Sequence, residues 1–370
     1  MLHKRELPAS EFEDLNKVYQ VKLKLLFWLL RTPPAGQVTK EDLETLFGKN
    51  SKLLSWFGAR RLGKPDKRTQ FGNSLDVLAD KARSEPLQAN QVANAIEHDA
   101  AFHQHWHDSS LELKFPGVFT AWLDPVKAVA EPFYDWLASE KGFPKDTFGL
   151  SHGDMTRAKI MQAYRPQSLG ICGYCDGPLG EIGTKADAND CEHFFPKSKW
   201  PHLAIHPANL FASCKGCNET WKLDKTPMGN ADEAGIRGTY HPSLLSGASL
   251  ISVVAKQSPE HPMRVSIEIR DGAVPKRAQT LVNTLDLEAR WSNDVNEKMD
   301  GRGVSVFVSK AFQDRFRGQT PDEAEIGELL DDSIIWARKN IGQEERSIRQ
   351  AAALQYQKDC QLAQIIQELL

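Results

Sequence analysis

Apolar and polar positions alternate at helical spacing through most of the first 165 residues. Ser10 with Glu13 spells a capping box, and the amphipathic run behind it reaches Leu30, where Arg31-Thr32-Pro33-Pro34 stops it. Thr39 caps a short helix, KEDLETLF. Further helical patterns lie in SLDVLADKA (74–82), NQVANAIEHDAAFHQHW (90–106) and DPVKAVAEPFYDWLASE (124–140). No run before about residue 165 reads as a strand. Residues 166–230 break the periodicity, with glycines, cysteines and lone aromatics crowded together until Asn218. Then SLISVVAK (249–256) and RVSIEIR (264–270) alternate with period two, which predicts strands. The tail turns helical again in 280–299 and 304–316. Thr320 as cap, Pro321 at the first position and two acids open another helix, and a Gln-rich helix runs from Gln343 to Leu370. The pattern predicts an α+β, mostly helical chain in three units: a helical part (1–165), a small central unit (166–230) and an α+β part ending in helices (231–370).

Composition narrows the picture. The chain has 370 residues, 41% hydrophobic and 26% charged, with a net charge of −3. That excludes a uniformly basic nucleic-acid coat, so any such contact needs a local patch. The N-terminus is too charged for a signal peptide, and Leu25 to Leu30 is far short of the ~20 apolar residues of a membrane span. A cytoplasmic protein with no membrane partner is expected.

Four of the six cysteines form two CxxC pairs, Cys172/Cys175 and Cys214/Cys217. Four thiolates are the soft tetrahedral set that Zn²⁺ prefers, and a closed Cys₄ site is structural. For a short segment with few large apolar side chains, such a metal supplies on the order of 10 kcal/mol of folding free energy.

Between and just after the knuckles lie Asp190, Glu192, His193, Asn209, Asn218 and Lys222. A hairpin from about Asp190 to Phe211, followed by a helix from about Cys214, ends one strand at His193 and puts Asn209 on the other. It also brings Asn218 back towards the hairpin. Glu192 and Asn218 are hard oxygen donors suited to Mg²⁺ or Mn²⁺, and a neutral imidazole at His193 is a base available at physiological pH. That chemistry fits hydrolysis of a phosphodiester.

EHFFPKS, HPANLFASC and CNETWKLDKTP together resemble the HNH endonuclease family, with its zinc-stapled ββα-metal fold. The resemblance covers about residues 170–228. It implies that His193 is the general base, that Glu192 and Asn218 bind the catalytic cation, and that Asn209 holds the metal loop and the histidine in place. Lys222 matches the family's lysine and is expected beside phosphate. Glu192 departs from the commoner Asp. More weakly, residues 275–291 resemble the segment after the nuclease unit in bacterial anti-phage defence effectors such as PtuB-like proteins, which implies a protein partner. The expected substrate is double-stranded DNA, with RNA still open. A non-catalytic zinc-stabilised binding module and a partner-gated latent nuclease stand as alternatives.

The central unit has no arginine, and its acids outnumber its lysines. Positive charge is therefore sought elsewhere. Residues 52–68 hold Lys52, Arg60, Arg61, Lys64, Lys67 and Arg68 against Asp66, either a phosphate-contacting patch or a solvated loop. Asp99, His103 and His107 fall at helical spacing, and with no further ligand in view a solvent-facing helical surface is expected. His202 and His206 read as loop residues. Cys191 and Cys360 read as packing residues.

Overall fold

The computed structural model describes residues 7–49, 51–64, 67–104, 113–168, 172–175, 177, 179, 189–223, 251–256, 264–269, 279, 282–299, 315 and 322–339. It is mostly helical with small two-stranded sheets, in keeping with the α+β class. The helices expected over 304–316 and 343–370 fall almost wholly outside the described residues.

Helix α1 (Ala9–Arg31) buries Leu15, Val18, Leu25, Leu26 and Leu29, a stripe at three- to four-residue spacing. It begins after Pro8 with no side-chain cap. Ser10 lies inside the first turn with its hydroxyl on Glu11, so the expected box with Glu13 does not form. Thr39 does cap α2 (Lys40–Phe47) in a box with Asp42. Helix α3 (Lys52–Leu62) is kinked at Gly58 and leads into a tight hairpin of β1 (Gly63–Lys64) and β2 (Lys67–Arg68). Helices α4 (Gln70–Ser84), α5 (Pro86–Ala100) and α6 (Leu123–Ala138) follow, and α1 packs against all three. Then come the short α7 (Lys145–Phe148) and α8 (Arg157–Ser168).

Strands β3 (Asn189–His193) and β4 (Leu210–Cys214) pair antiparallel, with His193 opposite Leu210 and Asn189 opposite Cys214. A π-helical segment, Gly216–Lys222, follows directly. The expected C-terminal strands form a third antiparallel pair, β5 (Ile251–Lys256) with β6 (Arg264–Ile269). Among the described residues, helices α9 (Leu287–Met299) and α10 (Glu323–Lys339) follow. Asp322 and Glu325 exchange side-chain and backbone bonds of 2.9 Å, so α10 is capped at Asp322, two residues later than the sequence suggests.

One hydrophobic core runs through all three expected units, from Leu26 and Phe133 through Phe195 and Phe211 to Trp291. Buried polar groups tie the layers together. Asp14 accepts backbone N–H bonds from Ser151 (2.8 Å) and His152 (2.9 Å). Asp99 accepts them from Lys114 (2.7 Å) and Phe115 (2.9 Å). The solvent-facing stripe expected at Asp99 is therefore overturned: α5 ends at Ala100 and turns inward, Asp99 is fully buried, and His103 packs on the Phe102 and His206 rings. His107 lies outside the described residues.

Candidate metal centre and active site

The two CxxC knuckles converge. The sulfurs of Cys172, Cys175, Cys214 and Cys217 lie within 4.8 Å of one another and could hold a metal ion such as zinc. Zn–S bonds of ~2.3 Å in a tetrahedron set sulfurs ~3.8 Å apart, and Cys175 and Cys214 stand at 3.7 Å. Backbone N–H groups of Gly177 and Cys214 donate to Cys175 and Cys172 at 3.3 Å, and that of Cys217 donates to Cys214 at 3.4 Å. Such donors favour thiolates, so the donor set fits the metal. The sulfurs act on one another: the Cys172 contact lowers Cys214, while contacts with Cys172, Cys175 and Cys214 push Cys217 well up. Cys191 is buried outside this cluster.

Helix α9 closes the centre. Arg290 donates to the Cys217 sulfur at 3.4 Å, and the Trp291 indole N–H donates to the Cys175 carbonyl at 2.8 Å. Burial opposes the Arg290 charge, but Cys217 and Cys175 outweigh it and hold the guanidinium charged. Sequence reasoning did not assign these two residues a role. Their signal was only the resemblance of the segment around them.

At the far end of the hairpin, His193 is almost fully buried. Its Nε2 lies 2.9 Å from the Ala204 carbonyl, so Nε2 carries the proton and Nδ1 keeps a lone pair. The Tyr134 ring from α6 packs on the imidazole, centroids 4.5 Å apart, and the Lys197 ammonium sits over that tyrosine. Burial pushes His193 down to about 3, the Lys222 and Lys197 charges add to the shift, and the Ala204 carbonyl opposes it. The ring is neutral at physiological pH.

Asn209 is fully buried and clamps the loop between the strands. Its Oδ1 accepts the Phe195 N–H (2.6 Å), and its Nδ2 donates to the carbonyls of Phe195 (3.1 Å) and Leu203 (3.0 Å). The loop also docks on the helices. Lys22 donates to the His202 carbonyl at 2.6 Å, His202 faces Asp99 at 3.3 Å, and His206 bonds the Ala100 carbonyl at 3.1 Å. Both histidines, expected as loop residues, are buried anchors.

Glu192 and Lys222 differ most from expectation. Lys222 is fully buried and forms an ion pair with Glu192, itself 2% exposed. A buried ammonium does not meet nucleic acid from this position. Nor do the residues make a ready site for Mg²⁺ or Mn²⁺. The Glu192 carboxylate already carries a cation against it, and Asn218 is half-buried on the π-helical segment. Among the described residues, the four cysteines form the one group of three or more metal-ligating side chains. The side chain of Asp190 lies outside the described residues.

The basic stretch is partly spent on structure. Arg68 forks onto Asp76 (2.7 and 2.8 Å), and Arg61 lies 3.4 Å over the Trp56 ring and donates to that residue's carbonyl. Lys64 and Lys67 are exposed on the hairpin, and the Arg60 side chain lies outside the described residues. No protein-family model, curated protein or solved structure matches the chain.

Proposed function

We propose that the chain is an HNH-type endonuclease that hydrolyses phosphodiester bonds, with DNA as substrate and His193 as general base. The observation that carries this reading is the fixed tautomer: the Ala204 carbonyl holds the Nε2 proton at 2.9 Å, which leaves Nδ1 as a neutral acceptor. In the proposed step Nδ1 takes a proton from water, the oxygen attacks phosphorus, and the P–O bond to the leaving oxygen breaks. Burial weakens this base at rest and the surrounding lysines add to it; an incoming phosphate anion offsets the lysine charge and so restores part of its basicity. Asn209 acts through the loop that carries Ala204, as a positioning residue. The four cysteines, loaded with zinc, staple the hairpin. The cation expected at Glu192 and Asn218 enters no step, since the arrangement there does not fit one. A part in anti-phage defence rests on the weaker resemblance of 275–291 alone.

The test is cleavage of supercoiled plasmid by the zinc-loaded protein, with Mg²⁺, with Mn²⁺ and with chelator, beside His193→Ala. Cleavage that disappears in the variant supports the reading, and cleavage that survives in it refutes the assigned base. One observation favours a second reading, a latent or non-catalytic module: the Glu192 carboxylate is neutralised by a buried lysine. Binding of DNA without cutting under all three conditions would favour it.

A further inference from the structure

Helix α9 meets the cysteine cluster from outside both knuckles, and three of its side chains, close together in sequence, each make a directed bond. Arg290 donates from Nη1 to the Cys217 sulfur (3.4 Å) and to the Leu285 carbonyl (3.3 Å), and its guanidinium lies 5.3 Å from the Trp221 ring centroid. Trp291 is buried and donates its indole N–H to the Cys175 carbonyl (2.8 Å). Glu288 accepts the Ile267 N–H of β6 (2.7 Å). One stretch of helix thus holds Cys217 of the second knuckle, Cys175 of the first, and the β5–β6 pair. Four thiolates around one Zn²⁺ carry about two net negative charges. Cys172, Cys175 and Cys217 are buried, and an uncompensated buried charge is costly. The guanidinium on the Cys217 sulfur offsets part of it.

We infer that Arg290 and Trp291 complete the metal centre, and that metal binding and the docking of α9 with the β5–β6 pair are one linked equilibrium. Cys175 and Cys217 belong to knuckles far apart in sequence, and a shared metal is what fixes the distance between them. Helix α9 spans that distance with two adjacent residues. Docked, it holds the knuckles at the separation the metal needs, and the metal holds the two contacts where one helix reaches both. By linkage, whatever lifts α9 loosens the metal, and loss of the metal loosens α9 by the same free energy. The C-terminal segment is therefore the part of the chain whose position reports metal occupancy. His193 takes no part in this link, which stands or falls apart from the proposed hydrolysis.

The experiment measures zinc affinity of the zinc-loaded full chain against a chromogenic chelator, for wild type, Arg290→Met and Trp291→Phe. Residues that support metal ligands in this way contribute about 10- to 100-fold to affinity, and Arg290→Met should weaken zinc by that order. Trp291→Phe keeps the ring, loses the N–H and should weaken zinc less. Wild-type affinity in Arg290→Met overturns the inference. Val92→Ala, in the buried face of α5, is the control for general destabilisation and should keep wild-type affinity. An equal loss there overturns the inference, since affinity would then follow stability alone. In protein loaded with Co²⁺, the thiolate-to-metal charge-transfer band should move to longer wavelength in Arg290→Met, because a donor on sulfur lowers its lone-pair energy. An unmoved band overturns the contact. A last measurement needs no variant: amide hydrogen exchange of wild type before and after chelation. Protection of Leu287–Met299 and of the β5–β6 pair should fall, while Ala9–Arg31 and Pro86–Ala100 keep theirs. Unchanged protection in α9 overturns the link, and so does equal loss in α1 and α5, since zinc would then hold the whole core.

Discussion

Asn209 offers the sharpest stability test because its three hydrogen bonds have fixed directions. The side chain is fully buried, with Oδ1 on the Phe195 N–H and Nδ2 shared between the carbonyls of Phe195 and Leu203. In Asn209→Ala all three are lost and their backbone partners stay buried. At about 1 kcal/mol net per bond, plus the penalty for stranded groups, the cost comes to about 3–5 kcal/mol. Asn209→Asp is the more telling change. It keeps the shape and the Oδ1 bond, but it turns an oxygen towards two carbonyl oxygens and buries a charge. It should cost at least as much as alanine. Urea unfolding followed by tryptophan fluorescence at fixed zinc content measures both. A whole domain is stable by only about 5–15 kcal/mol, so either change should move the midpoint clearly. An aspartate variant within about 1 kcal/mol of wild type would refute the assignment of Nδ2 as donor to both carbonyls. Ala204 lies in the clamped loop, so activity should fall with stability.

Removing zinc with a chelator should unfold the knuckles. Cys214→Ser should copy the effect, read as lost near-ultraviolet circular dichroism and as proteolysis near residue 214. Asp14 gives a pH prediction. Burial pushes its carboxyl up, but the N–H groups of Ser151 and His152 and the Lys17 charge win and hold it at about 2, against 3.8 in the unfolded chain. The resulting stability, about 2 kcal/mol, is complete above pH ~4 and is lost as pH falls towards 2. Asp14→Asn should flatten that acid limb in urea titrations across pH. Residues 166–230 expressed alone with Zn²⁺ should fail to give a folded, dispersed NMR spectrum, because Phe194, Phe195, Leu203 and Ile205 would lose the helices that bury them.

The knuckles could be read from sequence because the spacing of each CxxC pair is local, and four thiols have few uses. The hairpin could be read because His193 and Asn209 bound its loop, and the later strands because strict alternation leaves one face to bury. Burial of single polar residues could not be read in the same way. Lys22 meets the His202 carbonyl across 180 positions of sequence, and Tyr134 reaches His193 from a helix with no motif. A lysine looks solvent-exposed until its partner is known, which is why Lys222 read as a phosphate contact. Arg61 and Arg68 read as a patch for the same reason, since Trp56 and Asp76 beside them are ordinary residues in sequence.

These contacts also decide what holds the candidate base. The thiol cluster grips the hairpin at Cys214, paired with Asn189, while His193 pairs with Leu210 at the other end of the ladder. Four residues of strand separate the two ends, about 13 Å at ~3.3 Å per residue. A metal at one end fixes register but not the ring at the other. What fixes the ring is the Ala204 carbonyl, set by the Asn209 clamp and by the Lys22 bond to His202, together with Tyr134 packed on its face. The Tyr164 hydroxyl adds a 2.6 Å bond to the Leu210 carbonyl from α8. The histidine is therefore held by its own clamped loop and by the helices on which that loop docks, rather than by the staple.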